Sequence, residues 1–478
     1  MMNSLIKKYN SLSLPLKATL WFTLSKFLQK GIALVTTPVF TRYLSTAEYG
    51  IVNVFYSWHD IILIFVSFNF AAGAYNNGIN KFKGEEDSFT SATLGLSCVF
   101  TSVILIVYSF FCQSWDSISQ LSPTLTYTMI TQLILSTAMD LWSAKQRFNY
   151  EYRLLVFVSI VVSILAPILA IASFSFVTNR AYSRILSYNF VQIITYIFFF
   201  IYIFYKGKRF YSKKYWKYLL KLGAPLVPHY LSQVVLNNSD KILISLRVGT
   251  SQSGIYSVAY SAAMILNILN QSLNASLLPW MYRKLNDKKY IEIRKIFDVT
   301  LTFVGICVCL LMLFAPEFIS LLAPKEYTDA VNIIPFVAGG VYFMFLSSIF
   351  INVELYYEKS KFITTASVVT AVMNLTSNFF LLPVFGYKIA GVVTLFSYLL
   401  LSILHYLFLK RYVEVNIYEL INVKYILSLS FFILLFSILI LFTYQYTLLR
   451  YCVIAVFLVY LYKNKTQWIE LFQRKEGR

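Results

Sequence analysis

The chain has 478 residues, of which 58% are hydrophobic and only 13% are charged, and its formal net charge is +20. This composition excludes a water-soluble fold, because a soluble domain of this size could not hide so much apolar surface. The apolar residues fall in blocks of about 20, the length that a helix needs to cross a bilayer, and they lack the alternation of barrel strands. The sequence therefore predicts an all-α membrane protein.

Long apolar runs, interrupted by charged and turn residues, predict about fourteen membrane-spanning helices. In chain order they lie near residues 18–41, 49–72, 88–112, 122–142, 155–178, 183–205, 221–246, 254–280, 297–322, 328–356, 361–382, 387–410, 424–443 and 446–463. Most of the 41 lysines and arginines then fall in loops on one side of the membrane, a pattern typical of the cytoplasmic face. We therefore expect both termini in the cytoplasm. These loops face anionic lipid, so the net charge requires no nucleic acid partner.

An internal repeat suggests how the helices are grouped. Residues 40–57 align without a gap to residues 244–261, and each copy joins the first and second helix of a six-helix block. The identical pairs are Thr46 and Thr250, Gly50 and Gly254, Ile51 and Ile255, Val54 and Val258, Tyr56 and Tyr260, and Ser57 and Ser261. Two six-helix bundles related by a pseudo-two-fold axis along the membrane normal are typical of alternating-access transporters with a central site.

The predicted domains follow from this repeat and from the distribution of charge. They are an N-terminal six-helix bundle (1–205), a basic cytoplasmic linker (206–220), a C-terminal six-helix bundle (221–412), and two additional helices with a basic C-terminal tail (413–478).

Two segments resemble a known family: TTPVFTRYLSTAEYGIVNVF, after a first helix bearing lysines, and SDKILISLRVGTSQSGIYSVAYSAAMILN at the seventh span. They are similar to the polysaccharide-repeat flippases, the Wzx-type branch of the multidrug/oligosaccharidyl-lipid/polysaccharide exporter superfamily. The resemblance covers essentially the whole chain in length and span number. It implies a flippase that moves an undecaprenyl-diphosphate-linked oligosaccharide repeat to the outer leaflet of a bacterial plasma membrane, for O-antigen (lipopolysaccharide) or capsule synthesis. It also implies a monomeric transport unit and a polysaccharide polymerase as a candidate partner.

A diphosphate-linked sugar cannot cross hydrocarbon unaided, so a flippase needs a cationic cavity. Lys26 and Lys30 lie four residues apart on one face of the first helix, at a depth where lysines normally face a water-filled interior. If that helix began near Lys30, Lys26 would instead snorkel at the interface. Lys241, in the seventh span, is placed by symmetry near the partner position of these cations, or else forms an ion pair with Asp60 or Asp240.

Asp60 and Asp240 are acids inside predicted spans. Each can balance a cavity lysine or bind a coupling ion, H⁺ or Na⁺. His59, beside Asp60, is expected to be packed and hydrogen-bonded. No other cofactor and no metal site are predicted, since the five cysteines match no zinc or redox spacing.

Amide side chains follow one face of the eighth span: Asn267, Asn270, Gln271 and Asn274. Their spacing of i, i+3, i+4 and i+7 puts all four on one side of a helix. Amides bind sugar hydroxyls, and they also join transmembrane helices by hydrogen bonds. We expect the stripe to line the cavity; Asn374 and Asn378, one turn apart in the eleventh span, are interpreted in the same way.

Charged residues near the ends of spans can have structural roles instead of a role in substrate binding. Arg42 and Arg247, at nearly equivalent external ends of the first and seventh helices, either form an outer gate for the diphosphate or anchor helix ends at lipid head groups. Asp140, Glu354 and Glu358 lie near cytoplasmic ends, where solvated or inter-loop salt bridges are expected.

Three other functions have to be weighed against flipping of a polysaccharide repeat. A cation-coupled multidrug or metabolite exporter of the same superfamily should have an acidic cavity, whereas lysines lie deeper here than most acids. A flippase for the peptidoglycan lipid precursor is disfavoured only by overall pattern. A membrane glycan polymerase or ligase needs a large external loop with catalytic groups, and the predicted external loops are short, so we do not expect an enzyme.

Overall fold

The computed structural model describes residues 13–413 and 417–465, and all regular elements in these two ranges are helical. The helices are α1 (Leu14–Tyr43), α2 (Thr46–Ser67), α3 (Ala74–Lys81), α4 (Glu86–Ser119), α5 (Pro123–Phe148), α6 (Arg153–Ser173), α7 (Arg180–Gly207), α8 (Lys213–Gly223), α9 (Val227–Arg247), α10 (Thr250–Ala263), α11 (Ile265–Asn286), α12 (Tyr290–Leu313), α13 (Ala315–Leu322), α14 (Ile334–Tyr356), α15 (Ser360–Phe385), α16 (Ile389–Tyr412), α17 (Ile417–Leu420), α18 (Val423–Thr443) and α19 (Thr447–Lys463). Within the described ranges, nine helices are long and apolar enough to cross a membrane. The prediction of an all-α, multi-pass membrane protein is confirmed.

Several predicted spans are broken in the structure, among them the following three. The predicted span 221–246 is α9 preceded by a 3₁₀ turn at Ala224–Leu226, where Pro225 lacks the N–H that a continuous helix needs. The span 254–280 consists of α10 and α11, which meet at Met264, and the span 297–322 consists of α12 and α13. A proline, Pro316, occupies the first turn of α13, the position where helices tolerate it.

The chain divides into two compact units: unit 1 runs to Val234, and unit 2 begins at Val235, inside α9. In unit 1, α7 packs against α4, α5 and α6, and α1 packs against α6. One hydrophobic core joins α2 to α5 and α7 through residues such as Phe55, Met129 and Ile185. The predicted limits of the six-helix bundles stay predictions.

A second core of unit 1 lies on the side predicted to be cytoplasmic and includes α8, within the segment that was expected to be a linker. Tyr215 of α8 is 1% exposed, and Trp216 donates from its indole nitrogen to the carbonyl oxygen of Ala92 on α4 at 2.8 Å. Hydrogen bonds from Tyr215 and Lys214 hold the pKa of Glu85 below its ordinary value. Helix α8 is therefore a packed part of unit 1.

Glycine allows the close approach that this core requires. A Cβ atom on Gly207 would lie 2.2 Å from the carbonyl oxygen of Asp87, and one on Gly95 would lie 2.0 Å from that of Phe210. Real Cβ contacts are never this short, so only glycine lets the end of α7 and the following loop lie directly against α4.

In unit 2, α14 is the central helix. It packs against α10, α11, α12, α16 and α18, and a larger share of it is buried than of any other candidate span in the described ranges. Gly339 and Gly340 contribute to this packing: a Cβ atom on Gly339 would lie 2.8 Å from a methyl carbon of Leu395 on α16. Side chains between α14 and α16 are therefore shielded from both lipid and water.

The two copies of the sequence repeat begin equivalent helices. Thr46 is the first residue of α2 and Thr250 is the first residue of α10. In unit 1, Ser45 and Glu48 form a capping box, each side chain bonding the other's backbone N–H. In unit 2, Gly249 stands in place of that serine with a φ of +145°, a conformation that favours glycine.

Candidate functional site

Two lysines lie exposed in the middle of α1. Because α1 begins at Leu14, Lys26 and Lys30 lie about 18 and 24 Å along the helix from its first residue. Ser25, by contrast, is buried and accepts a hydrogen bond from the amide of Gln29. The helix therefore does not begin near Lys30, and the placement of the two lysines in a water-filled cavity stays a prediction.

A row of polar side chains connects α2 to α5 and α7 in unit 1. Oδ1 of Asp60 lies 3.1 Å from Nδ1 of His59, whose Nε2 lies 2.7 Å from Oε1 of Gln132 on α5. Gln132 donates to Oε1 of Gln192 on α7 at 2.8 Å. The Asp60 side chain is 47% exposed and that of His59 is 14% exposed. Asp60 is thus partly exposed, while His59 is packed and hydrogen-bonded as expected; the predicted role of Asp60 in ion coupling or charge balance stays a prediction.

Asp240 on α9 is the deeply buried acid of the predicted site, with 1% of its surface exposed. Its Oδ2 accepts hydrogen bonds from the hydroxyls of Tyr256 on α10, at 2.6 Å, and Thr394 on α16, at 2.7 Å. Its Oδ1 accepts a hydrogen bond from the amide of Asn378 on α15 at 2.6 Å. All three donors are neutral, so they solvate the carboxylate, while Lys241, the next residue, interacts with its charge electrostatically.

Further oxygen atoms surround Asp240. Asn374, one turn before Asn378, accepts from Ser239 at 3.2 Å and donates to Ser397 at 3.0 Å. Oδ1 of Asn378 has no hydrogen-bond partner in the described ranges. A carboxylate, hydroxyls and an amide oxygen are ligands for a hard cation such as Na⁺, and a buried carboxylate also binds a proton. The described residues contain no cluster of three His, Cys, Asp or Glu side chains that would suit a transition metal.

Lys241 follows Asp240 in sequence and interacts electrostatically with its carboxylate, and its ammonium group also contacts two neutral side chains. Its Nζ lies 3.3 Å from Oδ1 of Asn238 and 4.8 Å from the ring centroid of Tyr260. An amide oxygen and an aromatic face both stabilise a cation that is partly shielded from water. The predicted role of Lys241 in substrate binding stays a prediction.

The four amides of the eighth span, now on α11, do not form one continuous lining. Asn270 is 5% exposed and donates to the carbonyl oxygen of Val341 on α14. Asn274 accepts from the amide of Asn352, also on α14. Gln271 is exposed, and Asn267 is half-buried. Asn270 thus joins α11 to α14, the alternative that the sequence left open for these amides, because a buried amide must find its partners within the protein. The cavity-lining role of the stripe stays a prediction.

The two external arginines are both exposed at the ends of their helices. Nη1 of Arg42 donates to the carbonyl oxygen of Pro38, one turn earlier in α1, at 2.8 Å. The guanidinium carbon of Arg247 lies 4.0 Å from the ring centroid of Phe379 on α15. These contacts fix where each helix end carries its charge, and the choice between gate and lipid anchor stays open.

Comparison with known proteins shows the family to which the chain belongs. The family described as polysaccharide biosynthesis protein matches residues 16–285, more than half of the chain. The chain belongs to this family. Protein 1 of the Lsg locus of Haemophilus influenzae is 22% identical over 379 residues, which cover 76% of this chain and 90% of that protein.

The fold of this member of the polysaccharide biosynthesis family is similar to the folds of solved transporter structures. The lipid II flippase MurJ, in an inward closed conformation, matches with a TM-score of 0.67 and 15% identity, over 93% of this chain and 99% of MurJ. An inward-facing multidrug resistance MATE transporter of the MOP superfamily matches with a TM-score of 0.58 and 13% identity, over 81% of this chain and 93% of that chain. The family member therefore has the fold of flippases and transporters.

Several residues of these sites could not be recognised from the sequence. Tyr256 and Thr394 reach Asp240 from helices distant along the chain, and one tyrosine among 37 carries no local signal. The spacing of Asn374 and Asn378 was the available signal, since both lie on one face of α15. The expectation that Glu354 is solvated is wrong: it is 1% exposed and contacts His405 on α16, because α14 is the buried centre of unit 2.

Proposed function

We propose that this protein is a flippase that translocates an undecaprenyl-diphosphate-linked oligosaccharide repeat from the inner to the outer leaflet of a bacterial plasma membrane, for O-antigen or capsule synthesis. Family membership and the likeness to a lipid flippase along nearly the whole chain support a transporter of this class. The undecaprenyl carrier, the glycan pathway and the cytoplasmic location of both termini belong to the proposal.

The observation that carries the proposal is the pair of exposed lysines in the middle of α1. A diphosphate brings at least two negative charges into the membrane, and it needs fixed cations wherever water is scarce. Lys26 and Lys30, four residues apart, can bind the diphosphate together while the lipid tail stays in the bilayer. Gln271, exposed on α11, offers an amide for sugar hydroxyls.

The driving ion in this proposal binds at Asp240. Its carboxylate is buried, and it is surrounded by neutral oxygen and amide groups from α10, α15 and α16. Binding of H⁺ or Na⁺ would neutralise the carboxylate, which is costly to keep charged in this environment. Loss of the ion would leave a buried carboxylate with three neutral donors and only Lys241 as a charged neighbour, which would favour a different packing of these helices. That change couples ion movement to transport in this proposal.

A multidrug exporter of the same fold is the competing function. Such a protein would bind organic cations, so exposed acids would be needed on the faces that contact substrate. Here the exposed charges within α1 are all positive, whereas the acid on α9 is buried and hydrogen-bonded, and the partly exposed Asp60 on α2 contacts His59. This distribution supports an anionic substrate.

The test is genetic complementation in the host after deletion of the gene. Wild type, Lys26→Ala, Lys30→Ala and the double variant are expressed at matched levels, with Lys17→Ala, near the start of the same helix, as the control. Surface polysaccharide and the membrane orientation of the lipid-linked repeat are measured.

We expect deletion to remove surface glycan and to leave the lipid-linked repeat facing the cytoplasm. Wild type and Lys17→Ala should restore export, and the double variant should not. Unchanged glycan in the deletion strain, together with new sensitivity to organic cations, would establish the exporter function instead. Full rescue by the double variant would remove the lysines from the site.

A further inference from the structure

A buried carboxylate and an imidazole meet in unit 2, apart from the residues discussed so far. Nδ1 of His405 on α16 lies 3.0 Å from both carboxylate oxygens of Glu354 on α14. The side chains of His405 and Glu354 are 0% and 1% exposed, respectively. Nε2 of His405 has no hydrogen-bond partner in the ranges described. The pair is thus shielded from solvent, and one ring nitrogen is unused.

Charge balance limits the protonation states that this pair can adopt. A neutral imidazole that donates from Nδ1 to an ionised Glu354 leaves one unbalanced negative charge in the interior, which is costly. With one more proton the pair is neutral overall, either as an imidazolium with a carboxylate or as an imidazole that accepts from a protonated carboxyl group. The buried environment therefore favours the form that holds the additional proton.

Nearby charged groups do not supply this balance in the described structure. On the helices that pack against α14, Lys284 of α11 pairs with Glu292 of α12, and Asp298 of α12 accepts from Asn422. Toward the end of α16, Lys410 lies over the ring of Tyr418. No ion pair or hydrogen bond from another charged side chain in residues 13–413 and 417–465 reaches Glu354 or His405.

The pair is also separate from the Asp240 site. Thr394, which donates to Asp240, precedes His405 by eleven residues on α16, about 16 Å along the helix axis. Asp240, on α9, packs near the beginning of α16. Glu354, on α14, meets His405 near the end of α16, on the side predicted to be cytoplasmic. Helix α16 therefore contributes a side chain to each of two titratable sites, Thr394 to one and His405 to the other.

We infer that Glu354 and His405 form a second cation site of unit 2, which holds one exchangeable proton and releases it during the transport cycle. The inference deepens the proposed function, on which its role in transport rests. Release requires that another cation or water reach the unused nitrogen, so α14 and α16 must separate at this point in one conformation of the cycle.

The protonation state can be read directly from the full chain in lipid nanodiscs by ¹⁵N-histidine NMR. The chain has three histidines, so the signals that are lost in His405→Gln identify His405. We expect either both ring nitrogens protonated or an Nε2–H tautomer whose Nδ1 accepts from the carboxyl group, and Glu354→Gln should change this state. A neutral Nδ1–H tautomer at about pH 6 to 8 would mean that no additional proton is held, and would overturn the inference.

A transport assay distinguishes a proton site from a hydrogen bond that is only structural. Glu354→Gln retains size and hydrogen bonding but cannot ionise, so a structural role predicts rescue, whereas a proton site predicts loss of glycan export with normal protein levels. Ser402→Ala, which removes a buried hydroxyl that bonds only to the backbone of α16, is the matched control and should export normally. Normal export and an unchanged pH dependence in Glu354→Gln would overturn the inference. The NMR result stands even if the transported substrate proves to be different.

Discussion

The two units of the molecule treat charge inside the membrane in opposite ways. In unit 1, Lys26, Lys30 and Asp60 keep much of their surface accessible. In unit 2, Asp240, Glu354 and His405 are almost completely buried and contact side chains of neighbouring helices. Exposed charges can bind a large ligand that comes and goes, whereas enclosed ones have room only for a proton or a small ion. This difference supports the proposal that the exposed lysines contact substrate and that the enclosed acids of unit 2 bind the coupling ion.

The largest expected effect comes from removing the enclosed charge of unit 2. Asp240→Asn retains the size of the side chain but carries no negative charge to bind a proton or to attract Na⁺ strongly, so we expect glycan export to fall by more than about tenfold, or at least about 1.4 kcal/mol in the transport barrier. Surface glycan per expressed protein in complemented cells measures this change. Ser257→Ala is the control, since its buried hydroxyl bonds to the carbonyl oxygen of Ser253 alone. Wild-type export in Asp240→Asn would break the assignment of coupling to unit 2.

The exposed charges of unit 1 can be tested for contact with water. In a background without the five native cysteines, Lys30→Cys should react about tenfold faster with a membrane-impermeant thiol reagent than Val35→Cys, because only a hydrated thiol ionises readily. Val35 is 71% exposed on the same helix, but its position is rotated away from Lys30. Equal rates at both positions would mean that the helix face of Lys30 is no more hydrated than the face of Val35.

A smaller effect is expected within α11, where two adjacent amides differ in burial. Asn270→Ala should lower the stability of the protein by about 0.6 kcal/mol, since it removes the hydrogen bond to α14. Gln271→Ala should leave stability unchanged and weaken export, because its side chain is exposed. Thermal unfolding in detergent and surface glycan in cells measure the two effects. The opposite pattern would exchange the roles of the two residues.

The smallest effect concerns an exposed ion pair in unit 2. Asp329 accepts from Lys388 and from the hydroxyl of Tyr387, both at 2.9 Å, and these bonds hold the pKa of Asp329 below its ordinary value. Its contribution to stability is therefore present above the ordinary carboxyl pKa and is lost as the pH falls through the lowered pKa. Asp329→Asn should cost about 0.5 kcal/mol at neutral pH and nothing in strong acid. A difference in Tm that does not depend on pH would contradict this explanation.

The sequence predicted the helices more closely than it predicted their contacts. Apolar length and charge determine where a span lies, so α18 (Val423–Thr443) differs by one residue from the predicted 424–443. The break at Met264 had no such signal, since no proline or glycine marks it. The partners of Asp240 and the pairing of Glu354 with His405 depend on how distant helices pack, and neither periodicity nor composition encodes this packing.

Helix α8 has a practical consequence for anyone who wishes to divide the protein. A fragment that ends at residue 205, the predicted bundle limit, would lack Gly207 and Tyr215 and would expose the aromatic core that α8 covers, including Phe82 and Phe89. A fragment carried through Gly223 would keep that core sealed. Protease sites or fluorescent tags intended to report on each half separately therefore belong after α8 rather than before it.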